Sequence, residues 1–126
     1  MQKIFSNLEK HHNKIAFIDD NLKKYNYSFI IDYAVKFKKC IKNKSLILMI
    51  GSNQAASAIG YISFLRLNYT LILLDESFSN QYIKKLIKIY KPEYIYGEDQ
   101  RLKQIELKFQ KLKYLNFILF KTKFKK

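Results

Sequence analysis

Two short polar segments are the places in this 126-residue chain where side chains of suitable type could meet a ligand: Gly51-Ser52-Asn53 and Asp75-Glu76-Ser77. Each follows directly on an aliphatic run, Leu46–Ile50 in the first case and Leu71–Leu74 in the second. Hydroxyls, an amide and two carboxylates at the carboxyl ends of strands could receive a small polar molecule, because ligands of open α/β sheets sit there. The residue types also suit plainer uses, a helix cap for Gly-Ser-Asn and a polar turn for Asp-Glu-Ser, and they favour those. Cys40 is alone, so no disulfide framework exists and a reducing, cytoplasmic setting is expected. Its apolar neighbours mark it as a small core residue rather than a nucleophile. His11 and His12 have no Cys, His or Asp at a metal-ligating spacing. None of Gly51, Gly60 and Gly97 stands in a glycine-rich loop, and a triphosphate needs the backbone amides of such a loop. No residue is assigned a catalytic, cofactor-binding or metal-binding role.

The elements that must carry these segments follow from periodicity. Leu46–Ile50 and Leu71–Leu74 read as strands buried on both faces. Between them Ala55, Ala58, Ile59, Ile62 and Leu65 recur at helical spacing, so residues 45–75 form a βαβ unit with a right-handed crossover. Upstream, residues 14–19 and 23–27 read as a hairpin turning at Asp20-Asn21. Asn26 caps a helix that begins at Tyr27 and carries Ile30, Ala34, Phe37 and Ile41 on one stripe, widened by Ile31 and Val35. Ser79 caps a second helix with Ile83, Leu86, Ile87 and Tyr90 on its stripe, stopped by Pro92. A strand at residues 94–96 closed by Gly97, a last helix over residues 101–113 and a final strand over residues 114–120 complete the chain, with a frayed basic tail over residues 121–126. The expected fold is a single α/β domain over residues 1–126. It has three layers, a mostly parallel sheet with helices on both faces, preceded by an N-terminal β-hairpin.

At 48% apolar residues the chain can build a core, which excludes disorder. The net charge is +14, and residues 101–126 hold Arg101 and eight lysines against Glu106 alone, so +8 of it lies there. Weak, nonspecific binding to polyanions follows from such a balance. With only two arginines in the chain, the preferred forks for phosphates and base edges are scarce. Residues 55–74 are nearly uncharged, but Arg66 and Asn68 and the change from helical to strand pattern argue against a membrane span.

Two segments carry a resemblance. Residues 25–34, YNYSFIIDYA, look like the pattern LTYxELxxxA, and residues 64–75, FLRLNYTLILLD, look like LKAGxAYVPLD. Together with residues 83–97, their order and spacing are similar to the amino-terminal part of the adenylate-forming superfamily, which includes acyl-CoA synthetases and luciferases. Tyr27, Ile30 and Ala34 keep motif positions in the first segment, and Leu65, Arg66 and Asp75 in the second. Phe29, Asn68 and Leu73 replace the motif Glu, Gly and Pro. The resemblance implies the first portion of an ATP-dependent acid-activating ligase that joins a carboxylate to AMP and passes the acyl group to a thiol. ATP and Mg are implied for the full-length enzyme, and no cofactor is expected on this chain alone. The phosphate loop and the lysine of the small carboxyl-terminal domain have no counterpart here. The chain is therefore expected to be inactive by itself and to need the remainder of the ligase, a complementary chain or self-association. Two other readings stand beside it: a small basic α/β module that binds nucleic acid or anionic surfaces, and a non-catalytic interaction remnant.

Overall fold

The computed structural model describes residues 15–18, 22–41, 44–105, 112–114 and 116–124. Residues 1–13, with His11 and His12, and the turn expected at Asp20-Asn21 lie outside them. β1 (Ile15–Ile18) and β2 (Lys24–Asn26) pair antiparallel as a separate two-stranded sheet. α1 (Tyr27–Cys40) begins at the expected cap, where Asn26 Oδ1 accepts the Phe29 amide at 3.3 Å and satisfies one of the helix's orphan donors.

β3 (Leu46–Gly51), α2 (Ala55–Arg66) and β4 (Thr70–Asp75) form the βαβ unit, with the strands parallel and in register from Leu46 opposite Thr70 to Gly51 opposite Asp75. α2 ends in a left-handed turn at Asn68, φ 62°, which Asn tolerates better than most residues. The Tyr69 amide reaches back to the Phe64 carbonyl at 3.1 Å. α3 (Asn80–Tyr90) is capped by Ser79, whose Oγ accepts the Tyr82 amide at 3.1 Å, and it stops ahead of Pro92. β5 (Tyr94–Glu98), α4 (Asp99–Gln104), β6 (Leu112–Tyr114) and β7 (Phe117–Lys121) follow.

The main sheet has the order β4-β3-β5-β7-β6. β4, β3 and β5 are parallel, while β7 runs antiparallel to both β5 and β6. Alternate residues of β3 feed two cores. Ile47 and Met49 face α1 and α2 together with Tyr94, Tyr96, Phe117 and Leu119. Leu48 and Ile50 face α3 and α4 with Leu74, Ile95, Ile118, Ile83 and Leu102. This is the three-layer arrangement, with a mostly parallel sheet.

Five expectations are corrected. The helix expected over residues 101–113 ends at Gln104, and Leu112 belongs to β6. The run expected as one strand over residues 114–120 is split by a turn at Asn116, so the sheet closes on an antiparallel hairpin. β4 is an edge strand rather than one buried on both faces, and its Leu73 is 53% exposed. Val35 and Tyr90 face solvent instead of widening their stripes, whereas Tyr33 is buried. The segment after β7 is also tied down as far as Phe124: the Thr122 amide donates to the Glu93 carbonyl at 3.0 Å.

The α1–α2 side of the core is an aromatic cluster. Phe37 and Phe64 stand 4.6 Å apart between ring centres, and Tyr96 lies 5.3 Å from Phe64 and 5.1 Å from Phe117. Small residues bring α2 close enough to complete it: Ala56, Ser57, Gly60 and Ser63 are all buried. Three phenols tie α1 and α2 in place, two of them from β5 and one from the turn after α2. Tyr96 donates to the Ala56 carbonyl at 2.7 Å, Tyr69 to the Ile41 carbonyl at 3.1 Å and Tyr94 to the Cys40 carbonyl at 3.2 Å. Cys40 itself is half-buried and packs against this core, as expected of it. Among the described residues no helix is long and apolar enough to cross a membrane.

Candidate functional site

Parallel pairing of β3 with β4 sets Gly51 beside Asp75, so the two polar segments singled out from the sequence meet at one end of the sheet. They border a cavity of about 490 Å³. Ser52, Asn53, Ser57, Asp75 and Glu76 supply its polar lining, and Met49, Tyr61 and Leu73 its apolar walls. The sequence located the polar groups but missed Tyr61, whose helical position on α2 gives no sign that it overhangs a strand end.

The local bonding shows what these groups are already committed to. The Ser52 amide donates to Ser57 Oγ at 3.0 Å, which ties the end of β3 to the first turn of α2. Ser52 Oγ is buried and has no hydrogen-bond partner among the described residues, the exception among buried polar side-chain atoms there. A ligand or water in this cleft would satisfy it. Gln54 donates through Nε2 to Glu98 at 2.7 Å and accepts from the Asn116 amide, which joins α2 to the ends of β5 and β7.

Asp75 closes its own turn. Its carboxylate accepts the Ser77 hydroxyl and, at 3.1 Å, the Ser77 amide. The Ser77 hydroxyl is the main cause, and its amide the next, that hold the Asp75 carboxyl below the usual aspartate range. A depressed folded value contributes stability above the unfolded pKa, and that contribution is lost as pH falls through the folded one. An NMR titration should therefore place the Asp75 midpoint below that of an unstructured aspartate, and Ser77→Ala should move it upward. An unchanged midpoint in the variant would remove the hydroxyl as the cause.

A second cleft of about 260 Å³ shares Ser52 and Glu76 with the first and includes Glu98 and Arg101. Arg101 looked from the sequence like one more charge of a basic segment. It is instead a clamp: its guanidinium donates to Asn80 Oδ1 at 2.6 Å, to the Glu76 carbonyl at 2.7 Å and to the Phe78 carbonyl. One side chain of α4 thus holds the whole β4–α3 loop. Arg101→Ala should cost about 1.5–3 kcal/mol, the usual worth of hydrogen bonds to a charged group. Amide exchange should accelerate first at residues 76–80, and Lys in its place should not restore the fork. Uniform acceleration across α1 and β3 would contradict a local clamp.

The polar lining of the first cleft, between the ends of β3 and β4, is acidic. Among the described residues it carries the Asp75 and Glu76 carboxylates and no lysine or arginine. No glycine has a positive φ, and all three are used for packing: a Cβ on Gly51 would come 3.2 Å from Leu73, on Gly97 3.2 Å from Leu102 and on Gly60 2.4 Å from Tyr96. Among the described residues no three His, Cys, Asp or Glu side chains could share a metal ion.

No family model matches this chain, and no curated protein does. A solved structure does: the luciferase-like enzyme from the nonluminescent mealworm Zophobas morio is 27% identical, with a TM-score of 0.67, over 83% of this chain. The match takes in 26% of that enzyme, so this chain spans about a quarter of its length. These findings correct the family assignment drawn from residues 25–34 and 64–75. With no family model matching, membership of the adenylate-forming superfamily is not carried, and the replaced positions Phe29, Asn68 and Leu73 are the departures from its motifs. What stands is a chain related to one portion of a luciferase-like enzyme.

Proposed function

We propose that this chain is the amino-terminal framework of a larger acid-activating ligase and performs no chemistry by itself. The observation that carries this reading is the one-sided coverage of the likeness: 83% of this chain is accounted for by 26% of a luciferase-like enzyme. The ligase chemistry in this reading is ATP-dependent joining of a carboxylate to AMP, and the remainder of the protein or a complementary chain supplies its catalytic groups. Two physical features support a framework role. Among the described residues the cleft at the ends of β3 and β4 is lined by no lysine or arginine, and the outermost strand β4 carries no Lys, Arg or Pro, the residues that usually guard an exposed sheet edge. In so basic a chain, an edge of Thr, four aliphatics and Asp suits continuation of the sheet by another polypeptide.

The test is pyrophosphate exchange with the purified chain, ATP, Mg and a panel of carboxylic acids. Exchange should stay at the blank. Robust acid-dependent exchange by these residues alone would reject the framework reading.

A further inference from the structure

We propose that the groove between α3 and the β5–β7 face is a binding site for a free amphipathic anion, a small molecule with a single apolar tail and a negatively charged head. The groove lies at the opposite end of the sheet from the cleft described above, since Lys121 at the close of β7 pairs with Tyr94 at the start of β5. It encloses about 490 Å³, within the range of small-molecule sites. Ile87, Ile95, Ile105, Phe120 and Phe124 make its walls. Among the described residues the charged groups that border it are Lys84, Lys88 and Lys123.

Three observations narrow the occupant. The charges that Lys88 and Lys123 bring to the groove are of one sign, which favours an anion over a cation. The walls are mostly apolar, so a compact inorganic anion would leave the exposed parts of Ile87, Phe120 and Phe124 uncovered, whereas a hydrocarbon or aromatic tail would cover them. The wall on the tail side is held in place. Thr122 Oγ1 donates to the Pro92 carbonyl at 2.6 Å with the Glu93 carbonyl 3.1 Å away, and it accepts the Phe124 amide at 3.2 Å. That small turn presents Lys123 and Phe124 together, one cation and one ring, to the same groove. A fold with +14 net charge will attract anions everywhere, so the site is distinguished by the pairing of lysines with a fixed apolar volume.

The experiment is calorimetric titration of the purified chain with decanoate below its micellar range, beside decan-1-ol as the uncharged counterpart. Decanoate should saturate at one molecule per chain, bind at least tenfold more tightly than decan-1-ol and weaken several-fold as salt is raised. Lys88→Glu with Lys123→Glu should weaken decanoate at least tenfold at unchanged far-ultraviolet dichroism. The control, Lys38→Glu with Lys39→Glu on the exposed side of α1, changes net charge equally on the other face of the sheet and should leave binding within twofold. Equal binding of decan-1-ol, equal weakening by both double variants, or many decanoates per chain would each overturn the proposal. None of these readouts depends on ligase activity, so they stand or fall apart from the framework reading.

Discussion

Gly60→Ala destabilises this protein by about 2–3 kcal/mol, the upper part of the range for forced overpacking. Helix propensity alone argues the reverse, because alanine is favoured over glycine inside a helix by about 1 kcal/mol. Contact decides the sign. A Cβ at Gly60 would stand 2.4 Å from Tyr96 Cε2 and 2.9 Å from Cζ, distances that real Cβ atoms do not tolerate. The ring cannot swing aside. Phe37, Phe64 and Phe117 surround it, and its hydroxyl is bonded to the Ala56 carbonyl one turn earlier on the same helix. For a domain of this size the loss corresponds to a fall in Tm of about 8–12 °C. The measurement is denaturant unfolding of Gly60→Ala, Tyr96→Leu and the double variant. Shortening the side chain at position 96 removes the atoms the new methyl would strike, so the double variant should be more stable than the sum of the singles by over about 1 kcal/mol. Simple additivity would show that the contact is not the cause.

Phe64→Ala has the largest expected effect of any single side-chain truncation, about 3–5 kcal/mol. Phe64 is fully buried and touches three rings: Phe37 at 4.6 Å, Tyr96 at 5.3 Å and Tyr69 at 6.3 Å between centres. These partners come from α1, from β5 and from the turn after α2, so no single element can relax into the void. Set against a total stability of about 5–15 kcal/mol for ordinary domains, the change removes from about a fifth to nearly all of it. Ile89→Ala provides the contrast. Ile89 is 59% exposed on α3, and its truncation should stay within about 0.5 kcal/mol. A Phe64→Ala loss no larger than that of Ile89→Ala, by urea or thermal melting, would refute the placement of the core.

Much of this architecture is legible locally. The caps at Asn26 and Ser79, the two-faced aliphatic run of β3 and the left-handed Asn68 depend on neighbours within four residues, and a reader of the sequence finds them. The carboxyl end of the chain is legible only through distant partners. Leu102, Ile105 and Leu112 share helical spacing, yet Leu112 pairs with Leu119 across a hairpin. The one local sign of that hairpin is Asn116, a turn former inside an otherwise apolar run. The candidate site divides in the same way. Its two polar segments follow from strand ends, while Arg101 reaches them across the top of the sheet through carbonyls that no spacing rule reveals.

The three phenolic hydroxyls on Ala56, Ile41 and Cys40 act as dowels, two between β5 and the helices and one between the turn after α2 and the end of α1. A phenylalanine at any of these positions fills nearly the same volume, so the core would close equally well. What disappears is the means of telling one rotational setting of a helix from the next. Grease alone holds layers together without aligning them; here alignment is written in oxygen atoms, and sequence drift toward pure hydrocarbon would blur the register before it loosened the packing.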